Sequence, residues 1–394
     1  MARTIDVQPS SSMPIEQRNF EMCEHKGVGH PDTLTDGICE AASRELSRRY
    51  LRETGRVLHH NLDKGLLLAG RSEPRFGGGR VIQPMKLLIC GRATPLGGGE
   101  EACAVAIAAA RHHLHSRIGF AAAPDAITAH IGPTSTSLQQ LFGTGSAAPR
   151  SNDTSFGTGF APYSRLERMV LGLAGTIRSA EFLRLFPAAG ADFKIMGCRL
   201  GATITLTLAL AFVDRHVQSV SHYVALKKAM HEYLAGSIAA PARLLINRLD
   251  DPQAGDESGL YLTVTGLSGE MGDDGQVGRG NRVSGLITPG RAMSLEAAAG
   301  KNPVSHVGKL YNVLATLMAR DIHAQVEGAE QVSVQLLSAI GMPIDQPELA
   351  GVEIHAPGGL NSIQHSRAAE IVNRWLADVP KVTRMILDEE MAVY

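Results

Sequence analysis

Apolar and polar positions along this chain switch repeatedly between a helical and a strand-like period. The first ten to fifteen residues are Ser/Pro-rich and read as a loose arm. A helical period then begins at Pro31, with Leu34, Ile38, Ala41, Ala42, Leu46 and Tyr50 on one face, Asp32 placed to cap it and Gly55 to stop it. Runs at Val57–His60, Leu66–Ala69 and Val81–Ala93 read as strands broken by Gly77-Gly78-Gly79, and Ala102–His115 reads as helix. The Gly/Ser/Thr stretch Thr134–Ser151 predicts a loop or crossover. Leu166–Leu185 is predicted helical, and Ala202–Val213, with Thr203, Thr205 and Thr207 in alternation, is the clearest strand. A helix over Val220–Ala235, strands over Ala242–Leu249 and Leu260–Gly266, and a dense Gly/charge loop over Gly269–Gly285 follow. Pro303 should open a helix whose face carries Val304, Val307, Leu310, Tyr311, Leu314 and Met318. Strands over Gln331–Ile340 and Val352–His355 and a helix over Ile363–Val379 complete the pattern. No long stretch runs in pure βαβ order and no fixed-period repeat occurs. The expected class is therefore α+β, with helices on one face of mostly antiparallel or mixed sheets.

Composition then excludes several classes of function. With 394 residues, 44% apolar and 20% charged, the chain can bury a large core spread over two or three domains. A formal charge of -1 argues against broad capture of nucleic acid or anionic membrane. The longest apolar run is too short to span a bilayer, and the first twenty residues lack the apolar core of a signal peptide. Cys23, Cys39, Cys90, Cys103 and Cys198 are odd in number and show no CxxC spacing, which reads as reduced thiols in a cytoplasmic protein.

The common nucleotide motifs fail. Leu295 stands where a Walker A loop ending at Lys301 needs its first glycine, and Asn302 stands where it needs Ser or Thr. Neither Gly143-Thr144-Gly145 nor Gly157-Thr158-Gly159 has the flanking strand and third glycine of a dinucleotide fingerprint. Four other segments nevertheless concentrate charge, His and Gly. The first runs from Glu24 through Lys26, His30 and Asp32 at a helix start, where free N–H groups suit an anion and a carboxylate suits Mg²⁺; helix capping alone is the plainer account. The second is His59-His60-Asn61-Leu62-Asp63-Lys64 at a strand end, where adjacent His side chains point to opposite faces and cannot share one metal. The third joins Asp153 with Asp192-Phe193-Lys194, in which Asp192 and Lys194 share a face if the segment is extended; a surface ion pair would also explain it. The fourth, Gly269–Arg282, sets Asp273, Arg279 and Arg282 among closely spaced glycines, and Gly300-Lys301-Asn302-Pro303 follows. Carboxylates beside Arg and Lys suggest a polyphosphate held between Mg²⁺ and basic side chains, and leave the acceptor open.

At this point a family comes into view. Gly27-x-Gly-His-Pro-Asp32, His59-His60-Asn61-x-Asp63, Phe76-Gly-Gly-Gly79, Gly91-Arg-Ala-Thr94, Asp153-Thr-Ser-Phe-Gly157, Gly278-Arg-Gly-Asn-Arg282 and Gly300-Lys-Asn-Pro303 occur in the order seen in archaeal-type S-adenosylmethionine synthetases. The resemblance runs from about Glu21 to the last helix. It implies three similar subdomains around a pseudo-threefold axis, with interleaved segments: 1–27 with about 160–268, about 28–130 with 269–305, and about 131–159 with 306–394. It also implies a homodimer or dimer of dimers with active sites between subunits, ATP and methionine as substrates, and Mg²⁺ and K⁺ as cofactors. By the same resemblance His30, Lys194, Arg279 and Lys301 would be catalytic. Glu24, Lys26, Asp192 and Arg282 would join them on ATP, His59, Asp63, Asp153 and Asp273 would meet methionine, and Asp32 and Glu24 would hold metal. The chain departs from the family pattern at His25, where Arg is expected, and at Thr33, where Ser is expected. A phosphohydrolase that has lost adenosyl transfer and a non-catalytic regulatory partner are the competing readings.

Overall fold

The computed structural model describes residues 3–95, 101–120, 126–134 and 149–394. Most of the predicted crossover at Thr134–Ser151 lies outside these residues. Three mixed sheets organise the rest. In the first, β1 (Ile5–Pro9), β15 (Leu349–His355), β14 (Gln331–Leu337) and β8 (Phe156–Ala161) lie side by side in that order. In the second the order is β11 (Arg243–Ile246), β10 (Thr203–Val213), β9 (Ala189–Leu200) and β2 (Phe20–Lys26), with β12 (Leu262–Thr263) beside β10. The third runs β13 (Gly275–Gln276), β3 (His60–Leu68), β6 (Lys86–Ala93) and β7 (Ile127–Pro133). A hairpin of β4 (Arg71–Glu73) and β5 (Arg80–Gln83) stands apart.

Each large sheet buries one face under helices, as strand alternation demands. Helix α6 (Val307–Gln325), with α7 (Ser362–Ala377) and α8 (Val379–Leu387), covers the first sheet and sends Leu310, Leu314 and Met318 into its core. The second sheet packs on α3 (Arg165–Ile177), α4 (Ala180–Leu185) and α5 (Val220–Ser237) around Phe193, Leu206 and Phe212. The third packs on α1 (Pro31–Thr54) and α2 (Glu101–Ile118) around Ile38, Leu46, Leu67 and Ile89. The opposite strand faces remain apolar but open: Phe20 and Leu200 of the second sheet are each 62% exposed, with Met22 on the same strand as Phe20, and Leu66 and Leu68 of the third sheet and Phe156 of the first are exposed as well. This confirms the α+β class.

Several boundaries differ from expectation for identifiable reasons. The opening arm contains β1, which pairs in parallel with β15 from Ile5↔Ala350 to Pro9↔Ile354; Val7 fills the core, and Pro9 is tolerated because β1 is an edge strand. Asp32 is not the cap of α1. His30 occupies that position, its Nδ1 accepting from the Asp32 amide at 3.2 Å, while Gly55 ends the helix in the left-handed region as predicted. The predicted helix at 166–185 breaks in two because Ser179 caps α4. Pro303 does not open α6. The Asn302 side chain accepts from the amides of Val304 and Ser305, holding a turn, so the helix starts after His306. The helix predicted to end at Val379 gives way at Asp378, which caps α8.

Candidate active site

The last residues of β2, the turn after it and the first turn of α1 gather one charged cluster. Gly27 and Gly29 let this turn lie against β9; a Cβ on Gly29 would stand 2.5 Å from the Ala191 carbonyl carbon, closer than any side chain allows. β2 pairs with β9 so that Lys26 lies opposite Lys194, because 189–200 is extended as the Asp192–Lys194 spacing required. Lys194 Nζ reaches Glu24 at 3.1 Å, and Lys26 Nζ lies 3.7 Å from Glu24 and 2.8 Å from Asp32. Arg279 Nε lies 3.9 Å from Asp32, and the Arg279 carbonyl accepts from Lys26 Nζ at 2.7 Å. Glu24, Lys26, His30, Asp32, Lys194 and Arg279 thus come together. Burial, then the positive charge of Lys26, lowers the His30 pKa to about 4. His30 is therefore neutral near pH 7. Its Nδ1 accepts an amide hydrogen, so its own proton sits on Nε2, free to donate.

Asp192 is two residues from Lys194 on the same strand face, about 6.6 Å along β9. It is buried and accepts from the Ser268 amide at 2.8 Å and from the Ser268 hydroxyl, which also reaches Asp273 at 3.2 Å. Burial pushes the Asp192 carboxyl up to about 7.

A second group lies farther along α1. Ser43 donates to the Lys301 carbonyl, and eleven residues of helix separate Asp32 from Ser43, about 16 Å. Here Lys301 is buried and paired with Glu296, with Asp63 at 3.8 Å; burial lowers its pKa. Glu296 also accepts from Ser155 at 2.8 Å, which brings the Asp153 loop alongside. Asp63, Lys64, Arg92 and His130 line an adjacent cleft of about 690 Å³. Both histidines are buried: His60 opens β3 with its ring against Ser43 at 2.9 Å, and His59 just before the strand gives its carbonyl to Thr94. Arg282 does not join the charged cluster. Its guanidinium bonds the carbonyls of Gly278, Gly280, Ser294 and Leu295 and so organises its own loop.

One arrangement escaped the motifs entirely. Asp32, Asp36 and Glu40 recur every four residues on one buried face of α1, and each pins a backbone amide of the long loop before α6. Asp32 accepts from Gln276 at 3.0 Å, Asp36 from Gly278 at 2.7 Å and Gly280 at 3.1 Å, and Glu40 from Gly300 at 2.9 Å. A Cβ on Gly280 would fall 2.1 Å from Asp36 Oδ2, so any side chain there would push this carboxylate off the amides it holds. Burial pushes Asp36 up to about 7. Arg279 and Lys301 are each adjacent to a pinned amide. The four-residue recurrence was the available signal; Glu296 had none.

Comparison with known proteins supplies the family. The model of the S-adenosylmethionine synthetase (AdoMet synthetase) family matches residues 3–390. The S-adenosylmethionine synthase of Methanothrix thermoacetophila is 45% identical over 405 aligned residues, covering all of both chains. That of Pyrococcus furiosus is 44% identical, again over all of both. A solved structure described as an unusual S-adenosylmethionine synthetase from Campylobacter jejuni superposes with a TM-score of 0.62 at 16% identity, covering 94% of this chain and 93% of that one, which speaks to the fold. With a family match over nearly its whole length and full-length relatives well above 40% identity, the chain belongs to the S-adenosylmethionine synthetase family.

Proposed function

We propose that this chain is a methionine adenosyltransferase, making S-adenosylmethionine from ATP and L-methionine. The observation that carries the reading is the neutral His30, its Nε2–H free to donate and surrounded by Lys26, Lys194 and Arg279. The methionine sulfur attacks C5′ of ATP, the C5′–O5′ bond breaks, and its electron pair leaves with the triphosphate oxygen. His30 Nε2–H donates to that oxygen as charge grows on it, while the Lys and Arg side chains meet the phosphates. Water then cleaves the triphosphate to diphosphate and phosphate. Asp192 lies toward the nucleoside and Asp273 beside it. His59, Asp63, Asp153 and Lys301 contact methionine and the phosphates from the second group.

Asp32 and Glu24 are hard oxygen donors gathered around one ammonium, a set that suits Mg²⁺ completed by substrate phosphates. Bound there, the ion would neutralise triphosphate charge. K⁺ is part of the same reading, and no side chain is assigned to it.

The two groups, about 16 Å apart along α1, serve one reaction if the first group of one protomer faces the second of its partner. The open apolar strand faces favour such a homodimer, or a dimer of dimers, over a monomer. The three sheet-and-helix units correspond in this reading to three interleaved subdomains. The absence of any described helix long and apolar enough to cross a membrane fits a cytoplasmic enzyme.

The test is a mass-spectrometric assay with ATP, methionine, Mg²⁺ and K⁺, run beside His30→Ala. Sulfonium product with both phosphates, from the unmodified chain alone, is expected. Phosphate release without the sulfonium would instead identify a phosphohydrolase.

A further inference from the structure

On the helix side of the molecule, α1, α2 and the residues beyond α8 enclose two adjoining hollows; the inner one backs onto Lys26, and their other walls take no part in the proposed reaction. The outer one holds about 620 Å³ and the inner about 240 Å³, and Arg44, His113, Arg117 and Glu389 line both. Glu389 forms the partition. Its carboxylate meets Arg44 at 3.2 Å, Arg117 at 2.5 Å and Arg48 at 3.8 Å. One carboxylate therefore faces three guanidinium groups. Glu45 is shared between Arg48 and Arg52; Glu40, on the inner wall, gives Oε2 to Lys309 and the Gly300 amide and leaves Oε1 buried without a partner among the described residues, so with Arg178 four guanidinium groups still face two carboxylates there. Arg178 adds a fourth guanidinium at the inner hollow, and among the described residues its side chain has no ion pair or hydrogen bond.

Three further details show that this is more than a surface clasp. Glu389 adopts φ +61, a left-handed conformation that favours glycine or asparagine just past a helix end. Backbone strain is accepted there to set a carboxylate among arginines. Arg44 Nε is buried without an acceptor. His25, on the inner wall, is 4% exposed; its Nδ1 donates to the Gly285 carbonyl at 2.7 Å, which leaves a bare acceptor, Nε2, buried and unpartnered. With its Nδ1–H committed to that carbonyl, the ring presents Nε2 as its acceptor.

We propose that the inner hollow is a binding site for a protonated phosphate group, held by Arg44, Arg117 and Arg178 with His25 accepting its hydroxyl, and that Glu389 is the built-in carboxylate the ligand displaces. Guanidinium groups suit phosphate oxygens through paired, charge-assisted hydrogen bonds. An acceptor among the donors selects an oxyanion that keeps a proton near pH 7, which hydrogen phosphate does and sulfate does not. The outer hollow leaves room for whatever the phosphate is attached to.

The test is equilibrium binding of inorganic phosphate to the full chain, with sulfate and diphosphate as parallel probes. The chain itself, Glu389→Gln, Arg117→Gln and Arg178→Gln are compared. Removing the internal competitor in Glu389→Gln should tighten phosphate binding at least fivefold, and each Arg variant should weaken it at least fivefold. Sulfate should bind at least tenfold more weakly than phosphate, and diphosphate should compete with it. A clasp that merely holds the last helix would lose stability in Glu389→Gln without gaining affinity, which would overturn the proposal. Equal affinity across all four proteins, or loss of all phosphate binding in Arg279→Ala, would do the same. Should Glu389→Gln fail to fold, Arg178→Gln decides the matter alone, because that side chain is at the surface and bonds nothing among the described residues. None of these readouts requires turnover of ATP or methionine.

Discussion

Replacing Asp36 by Asn tests the link between a helix face and the proposed phosphate clamp. Asp36 never faces a substrate in this reading; it holds the amides of Gly278 and Gly280, and Arg279 stands between them. Asn keeps the shape but offers one acceptor and one donor to two N–H groups, so one hydrogen bond is lost and a donor faces a donor. That costs about 1–3 kcal/mol locally. If the loop relaxes to escape the conflict, Arg279 moves, and kcat/KM should fall about 10- to 100-fold, or about 1.4–2.7 kcal/mol of transition-state binding. The pH dependence separates this from simple damage. Burial raises the folded Asp36 pKa from 3.8 to about 7, so the folded state holds this proton more tightly than the unfolded state does. Its contribution to stability is therefore greatest below pH 3.8 and declines as pH rises to 7, by about 4 kcal/mol at most. Asn cannot titrate. Its stability relative to Asp should therefore improve between pH 5 and pH 8, by about 3 kcal/mol. Urea unfolding at the two pH values, beside steady-state kinetics, reads both effects. An unchanged stability difference across that range, or full activity in Asp36→Asn, would refute the reasoning.

Three other outcomes follow from the same structure. His30→Ala should lower kcat about 10²- to 10³-fold in the assay described above, while circular dichroism stays unchanged. Any acid loss of activity that tracks His30 should have its midpoint near pH 4 rather than 6.5 in a pH–rate profile, since the imidazole is needed neutral and burial delays its protonation. Lys309→Met leaves the Glu40 carboxylate buried without its cation and should cost about 3–5 kcal/mol in urea unfolding, whereas Lys309→Met with Glu40→Gln, which keeps an acceptor for the Gly300 amide, should recover much of it; equal stabilities for the two would count against the pair. Phe20→Glu with Leu200→Glu, on the open strand face, should shift a dimer to monomer in sedimentation and remove activity; an active monomer would sink the shared-site reading.

The helices and the motif residues were legible in the sequence because their signals are local. The period from Leu34 to Tyr50 and the Gly55 stop depend on neighbours three or four residues away. Strands β2 and β9 were not legible. Their inward positions include Glu21, His25 and Arg199, polar residues accepted only because distant partners complete them, Glu21 and Arg199 pairing with each other and His25 bonding the Gly285 carbonyl, so no clean apolar alternation marks either strand. Arg282 was hard to place for the complementary reason. Beside Arg279 it looks like a second phosphate ligand, and only the folded loop reveals that nearby carbonyls take its terminal N–H groups while Nε has no partner among the described residues. Glu296 is recognisable as a partner of Lys301 and Ser155 only once the loop has closed.

The acidic row on α1 also sets where this protein can change length. Asp32, Asp36 and Glu40 share one azimuth because they are four residues apart, and one inserted residue upstream of Asp36 would rotate the later two by about 100°. Two anchors would leave the loop together, so such an insertion fails outright rather than by degrees. Between the anchored amides of Gly280 and Gly300, by contrast, twenty residues of chain span a gap that the helix covers in four, from Asp36 to Glu40. That surplus is folded back rather than slack: Ile287 exchanges backbone hydrogen bonds with Glu24, and Arg291 pairs with the buried Glu167. A change of length is absorbed there only between these anchors, while the helix beside them is held to a fixed phase.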